Sequence, residues 1–169
     1  MRYRKMWTAL ALVVVACTGG DTIVGTSSFD LLDESLPNGV HGHFLTGSYA
    51  GGRQTVHVVL QTREVDFSSY QGVVEFDQGV FRLVSVSTPK TDTHFFNQSE
   101  AANGQLPIAG FATDGFDEPI SITLSFATPR AFKTGDIYLK LDVVGTSIGA
   151  EVPPALIYLK RELVQGSGG

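Results

Sequence analysis

After about residue 40, apolar and polar residues alternate with a period of two along most of the chain. Ile120, Ile122, Leu124 and Phe126 alternate with Ser121, Thr123 and Ser125. This is the pattern of a strand with one face in a core and the other toward solvent. Ile137, Leu139, Leu141 and Val143 alternate in the same way with Tyr138, Lys140 and Asp142, and Val56, Val58 and Leu60 with His57 and Gln61. Gly72, Val74 and Phe76 oppose Gln71, Val73 and Glu75. The pattern predicts further strands at Val40–Leu45, Val80–Ser87, Phe95–Asn97, Leu106–Ala112 and Ala155–Leu163. Turn clusters separate them: Ala50-Gly51-Gly52, Asp77-Gln78-Gly79, Asn103-Gly104, Thr113-Asp114-Gly115 and Thr134-Gly135-Asp136. No amphipathic helix of any length is present, although Ser99–Asn103 reads as one helical turn ended by Gly104. About nine strands at this spacing predict an all-β fold, a two-sheet β-sandwich with Greek-key or jelly-roll connections. No internal repeat is visible.

The first 38 residues read differently. Arg2, Arg4 and Lys5 precede an apolar run from Met6 to Ala16. That run is shorter than the roughly 20 residues a bilayer span needs and has the length of a signal-peptide core. It ends in Val14-Val15-Ala16-Cys17, which resembles a bacterial lipobox. The resemblance implies cleavage before Cys17, lipid attachment to that cysteine, and a membrane association made only through the lipid. Thr18 after the cysteine favours, by the same resemblance, the outer membrane or cell surface. Thr18 to Asn38, with Gly19-Gly20, Ser27-Ser28 and Pro37-Asn38, reads as a tether with one short helical turn around Asp30–Ser35. The expected organisation is a signal peptide over residues 1–16, a tether over 17–38, a sandwich over 39–164 and a flexible Gly/Ser tail over 165–169.

Composition narrows the function. The 169 residues are 43% hydrophobic and 17% charged, enough apolar material for one real core. Removing Arg2, Arg4 and Lys5 from the 12 basic residues leaves nine against 17 acidic ones, a net charge of −8. Such a domain repels phosphate, which argues against nucleic acid as a partner. One cysteine excludes an internal disulfide framework and any multi-cysteine zinc site.

The order of the strands carries a family resemblance. Ser68–Asp77 ends in Val74-Glu75-Phe76-Asp77, and Val80-Phe81-Arg82-Leu83-Val84-Ser85-Val86 follows. Gly104–Asp114 contains Phe111-Ala112, and Ile120–Phe126 and Ile137–Val144 come after it. This resembles a cohesin domain, of the carbohydrate-binding-module-like superfamily, over roughly Phe44 to Val164. Gln78 stands where the family usually has proline, and Thr88–Asn103 differs in length and character. The resemblance implies a non-catalytic module that binds a dockerin, a small calcium-binding module, through one sheet face. Carried over by register, that face would hold Ser69, Gln71 and Val73, then Ile108, Gly110 and Thr113, flanked by Phe95 and Phe96. Strand parity agrees for the first set, because Gly72, Val74 and Phe76 take the core.

Sugar-binding sandwiches stack aromatic rings on pyranose faces. The only tryptophan, Trp7, lies in the signal, Tyr70 has core parity, and Tyr49 is the other tyrosine of the sandwich. Tyr138 and Tyr158 have outward parity and form the candidate carbohydrate platform. Gly145-Thr146-Ser147-Ile148-Gly149 matches the spacing of a nucleophile elbow, but Pro153-Pro154 follows where a helix is required, and no histidine comes after His94. His41 and His43 share a strand face, yet a metal site needs a third ligand, so no metal or cofactor is expected. Glu75 and Asp77 could pair as in a glycosidase, but Asp77 is better explained as a turn residue. Asp114, Asp117 and Glu118 read as a solvated acidic turn rather than a calcium loop. Asn97-Gln98-Ser99 is a glycosylation sequon with no expected role. Three functions stay open: a protein-binding module, a carbohydrate-binding module, and a structural subunit of an envelope or extracellular assembly.

Overall fold

The computed structural model describes residues 36–89, 93–116 and 119–165. The expected signal peptide, Cys17, most of the tether with its Asp30–Ser35 turn, Asp117, Glu118 and residues 166–169 lie outside the described residues. The strands are β1 (Gly39–Thr46), β2 (Arg53–Arg63), β3 (Ser69–Phe76), β4 (Arg82–Ser87), β5 (His94–Phe96), β6 (Gln105–Phe111), β7 (Ile120–Ala127), β8 (Ile137–Gly145) and β9 (Ile157–Gln165). They form a five-stranded sheet in the order β4-β7-β2-β1-β9 and a four-stranded sheet in the order β5-β6-β3-β8. Only the β1–β2 and β5–β6 connections join sequence neighbours within one sheet. Every other connection crosses between the layers, which winds the chain as a jelly roll. All strand pairs are antiparallel except β1–β9, which is parallel.

Alternation sets which faces meet. β7 is the cleanest case, with every second residue from Ile120 to Phe126 buried and every intervening one half-buried. Its apolar row packs with Val56, Val58 and Leu60 of β2 against Val74, Phe76, Leu106, Ile108, Ile137 and Leu139 of the other sheet. At one end of the core Phe126 meets Phe76 and Phe132 edge-on, and Phe81 stacks on Phe132 at 3.8 Å. The loop that delivers Phe132 is held by Arg130, whose guanidinium donates to both oxygens of Asp136, and by Gln54, whose side-chain oxygen accepts from the Phe132 amide. The Arg130 guanidinium holds the Asp136 carboxyl below the usual carboxylate range.

Four local expectations are corrected. β4 begins at Arg82 rather than Val80, because the amides of Val80 and Phe81 both donate to the Asp77 carbonyl and close a turn. β5 is His94–Phe96, since Asn97 caps the 3-10 turn Gln98–Asn103 through a bond from the Ser99 amide. That turn ends at Gly104 in the left-handed region, as the sequence predicts. β9 starts after a 3-10 turn at Pro154–Leu156 and runs through Gln165, which the sequence places in the tail. In β8 an extra residue at Asp142 breaks the alternation: Gln71 pairs with Val143 and Gly72 with Leu141. This bulge turns Val143 outward, 45% exposed, and gives its core place to Val144. Gly72 sits opposite the bulge, where a Cβ would run into the Lys140 carbonyl.

Candidate binding face

The outer face of the four-stranded sheet can be assembled from strand register. One row across all four strands is Phe95, Ala109, Gln71 and Val143. The next is Pro107, Val73 and Lys140, and the third is Gln105, Glu75 and Tyr138. On the other side of the first row, Phe111 pairs with Ser69. The face is therefore apolar toward β5 and β6 and polar toward β8. Phe95 and Phe111 are 56% and 53% exposed, and their rings lie parallel with centroids 6.4 Å apart. A shallow groove beside them is lined by Val73, Phe95, Pro107, Ala109, Gln71 and Asp142. On the polar side Lys140 Nζ donates to Glu75 Oε1 at 2.7 Å, and Arg161 of β9 lies over the Tyr138 ring.

Of the expected partner-binding residues, Ser69, Gln71, Val73 and Phe95 stand on this face. Ile108 and Gly110 do not: Ile108 is 2% exposed and both point into the core. The reason is parity, since Leu106 anchors the even positions of β6 inward. Thr113 is exposed but lies beyond the end of β6 in a turn, and Phe96 packs inward against the core. The residues that replace them are Pro107, Ala109 and Phe111. An apolar Ile108 at core spacing from Leu106 was the signal that could have identified them.

Tyr138 and Tyr158 do not form one platform. Tyr138 is on the outer face of the four-stranded sheet. Tyr158 is on β9 in the other sheet, stacked on His41 at 5.0 Å. The other sequence candidates also separate. Ser147 donates through its hydroxyl and amide to Asp66 in a tight turn closed by Thr146 and Ala150, with no helix behind it. Asp77 Oδ1 accepts from the Gly79 amide, a turn-closing role, while Glu75 is engaged by Lys140. Asp114 is exposed. His41 Nε2 bonds the Pro37 carbonyl and His57 Nδ1 bonds Thr123. Among the described residues no three His, Cys, Asp or Glu side chains group as a metal set.

Behind the apolar edge of the face, the Tyr70 hydroxyl bonds His94 Nδ1 at 2.9 Å, and the His94 ring stacks on Phe116. Burial pushes the Tyr70 phenol well above its usual range. Gly110 makes this arrangement possible, because a Cβ there would collide with the Tyr70 ring and His94.

Two imidazoles of the five-stranded sheet give a pH dependence. Burial pulls the His57 pKa below its ordinary value. For His43 the same cause dominates, with Lys160 and His41 adding to it. A group whose folded pKa is depressed takes up protons preferentially in the unfolded chain. Stability is therefore level above the ordinary histidine value of 6.5 and declines as pH falls from there toward the lower folded values. Urea midpoints measured from pH 7.5 to 5.5 should fall; a flat profile would contradict the neutral, desolvated state of these rings.

No protein-family model matches the chain, and no curated protein matches it. Solved structures do. A solution structure of CaCohA2 from Clostridium acetobutylicum superposes with a TM-score of 0.54 at 16% identity, covering 78% of this chain and 94% of that one. CaCohA2 in a crystal structure of its complex with a CaDoc0917 variant gives 0.52 at 16% identity, covering 72% and 94%. A non-cellulosomal cohesin from the hyperthermophilic archaeon Archaeoglobus fulgidus gives 0.52 at 14% identity, covering 73% and 86%. The fold is that of a cohesin-like β-sandwich.

Proposed function

We propose that this protein is a non-catalytic binding module that receives a protein partner on the outer face of the four-stranded sheet. The observation that carries the reading is the exposed Phe95, Phe111 and Val143, with half-buried Val73, on the same face as the polar Gln71, Glu75, Lys140 and Asp142. Large exposed aromatic side chains beside a polar border are the make-up of a protein interface. The complex formed by CaCohA2 supports a protein ligand of the dockerin kind. The test is capture from extracts of the source cell, with and without Ca²⁺, on immobilised protein. A partner retained by the unaltered chain should bind at least about tenfold more weakly to Phe111→Asp. Val84→Asp, on an exposed position of the five-stranded sheet, should leave it unchanged. Equal loss with both variants, or no enriched partner in either condition, would count against the reading.

The parallel rings of Phe95 and Phe111 favour a second reading, in which polysaccharide stacks on this edge. Sedimentation with insoluble polysaccharide that is lost in Phe95→Ala would select it over the first.

On the same reading Cys17 carries a lipid that holds the module on the outer membrane or cell surface, with its binding face presented away from the bilayer. The lipobox-like Val14-Val15-Ala16-Cys17 supports this, and several acyl chains on one residue make anchoring stable where one alone does not. Expressed in a lipoprotein-processing bacterium, the chain should partition into detergent, and Cys17→Ser should shift it to the aqueous phase. Aqueous partitioning of the unaltered chain would refute the anchor.

A further inference from the structure

One flank of the sandwich is open. β8 is an edge of the four-stranded sheet and β9 an edge of the five-stranded one, so among the described residues each is paired along one side. Where the two run beside each other the sheets do not close. A groove of about 730 Å³ separates residues 138–142 of β8 from residues 159–161 of β9. Part of the cause lies in β9. Its pairing steps from Leu159 to Leu163 while β1 steps only from Gly42 to Phe44, so residues 160–162 bow out of the ladder. Leu141 and Leu159 pack against the core and line the groove, but both are left half-buried.

The rim of this groove is basic on a chain whose net charge is −5. Lys140, Lys160 and Arg161 stand around it, and all three are exposed. Glu75 and Asp142 supply its carboxylates, and Glu75 is already engaged by Lys140. Among the described residues the salt bridges are Arg130–Asp136 and Lys140–Glu75, which leaves Lys160 and Arg161 without an ion partner there. The Arg161 guanidinium lies instead over the Tyr138 ring, 5.9 Å from its centre. We propose that the groove receives an extended, acidic segment of a protein partner, added as a strand to the open edge of β8. An edge strand presents a row of backbone donors and acceptors ready to pair. The five residues of β8 along the groove give roughly 17 Å of such an edge. Alternate side chains of the incoming strand would rest on Leu141 and Leu159, and those between would meet Lys140 and Arg161. Charge selects the occupant: Glu or Asp at the second set pairs with these cations, whereas Lys or Arg is repelled. A second copy of the same edge is disfavoured, because its Lys140 and Arg161 would be brought against those of the first. The bulge at Asp142 ends the regular edge and sets where the added strand stops. The proposal goes beyond the contact on the outer face, since it uses the edge of β8 and the flank of β9 rather than Phe95 and Phe111.

Synthetic peptides test it on the full chain. The probes are a peptide of alternating valine and glutamate, one of alternating valine and lysine, and the acidic peptide with prolines at its centre. The acidic peptide should bind at least about tenfold more tightly than either of the others, and more weakly as salt is raised. Lys160→Glu/Arg161→Glu should weaken it at least about tenfold, and the milder Arg161→Gln about threefold, with thermal unfolding unchanged. Phe111→Asp should leave it unaltered, which separates the edge from the outer face. In hydrogen exchange, amides of residues 138–142 that face the groove should slow at least about tenfold when the acidic peptide is present. No binding, equal binding of the lysine or proline peptide, or unchanged exchange at 138–142 would overturn the proposal. So would loss of binding in Phe111→Asp, which would assign the peptide to the outer face, or binding of polygalacturonate in place of the peptide, which would make the groove a site for anionic polysaccharide.

Discussion

Replacing Phe126 with alanine should cost about 3–5 kcal/mol of folding stability, the usual range for emptying a large aromatic site in a rigid core. Phe126 is fully buried, and it is the member of the aromatic cluster that touches both layers. It comes from β7 of one sheet and meets Phe76 at the end of β3 in the other at 5.0 Å, edge to face. Phe132 and Phe81, delivered by two separate loops, pack on its remaining sides. None of these neighbours can close the space cheaply: Phe76 is fixed by its strand, and Phe132 by the Gln54 bond and the Arg130–Asp136 pair. Urea unfolding should show a midpoint shift with an unchanged slope. A loss below about 1 kcal/mol would mean the loops collapse into the site, and that the cluster is less rigid than its geometry implies.

Gly110→Val should be the next most damaging substitution, at about 3 kcal/mol. Two effects combine. Overpacking a close contact costs about 1–3 kcal/mol, and displacing Tyr70 breaks its bond to buried His94, worth about 1 kcal/mol. The damage should centre on β5, a three-residue edge strand that, among the described residues, pairs with β6 alone. Amide exchange should therefore accelerate first at His94–Phe96. Tyr70→Phe is the control: it deletes the hydrogen bond without adding volume, so it should cost about 1 kcal/mol and leave β5 protected. If the two variants were equally destabilised, the close approach at Gly110 would not be the constraint.

Strand positions were legible wherever one face is buried, because alternation then leaves a period-two record. Ile120–Phe126 and Gly72–Phe76 are such cases. The record fails at irregularities. The bulge at Asp142 adds a residue without any change in composition, so Val143 reads as core and Val144 as surface until the pairing is known. It fails again where a strand is buried on both faces: β1 carries His41, His43 and Leu45 outward, all buried, and nothing in its pattern announces that. On the candidate face, parity on β3 located Ser69, Gln71 and Val73. On β6 the carried-over register ran against parity, selecting Ile108 and Gly110 over Ala109 and Phe111. The separation of Tyr138 from Tyr158 was invisible to any local pattern, since it depends on which sheet each strand joins.

The bulge in β8 has one further consequence. Leu141 and Val144 keep their inward places whether or not a residue is looped out between them, because the interruption restores alternation on its far side. Length at this point is thus decoupled from the interior. A lineage could drop Asp142, or exchange it for any polar group, and retune what the face recognises without moving a single core contact.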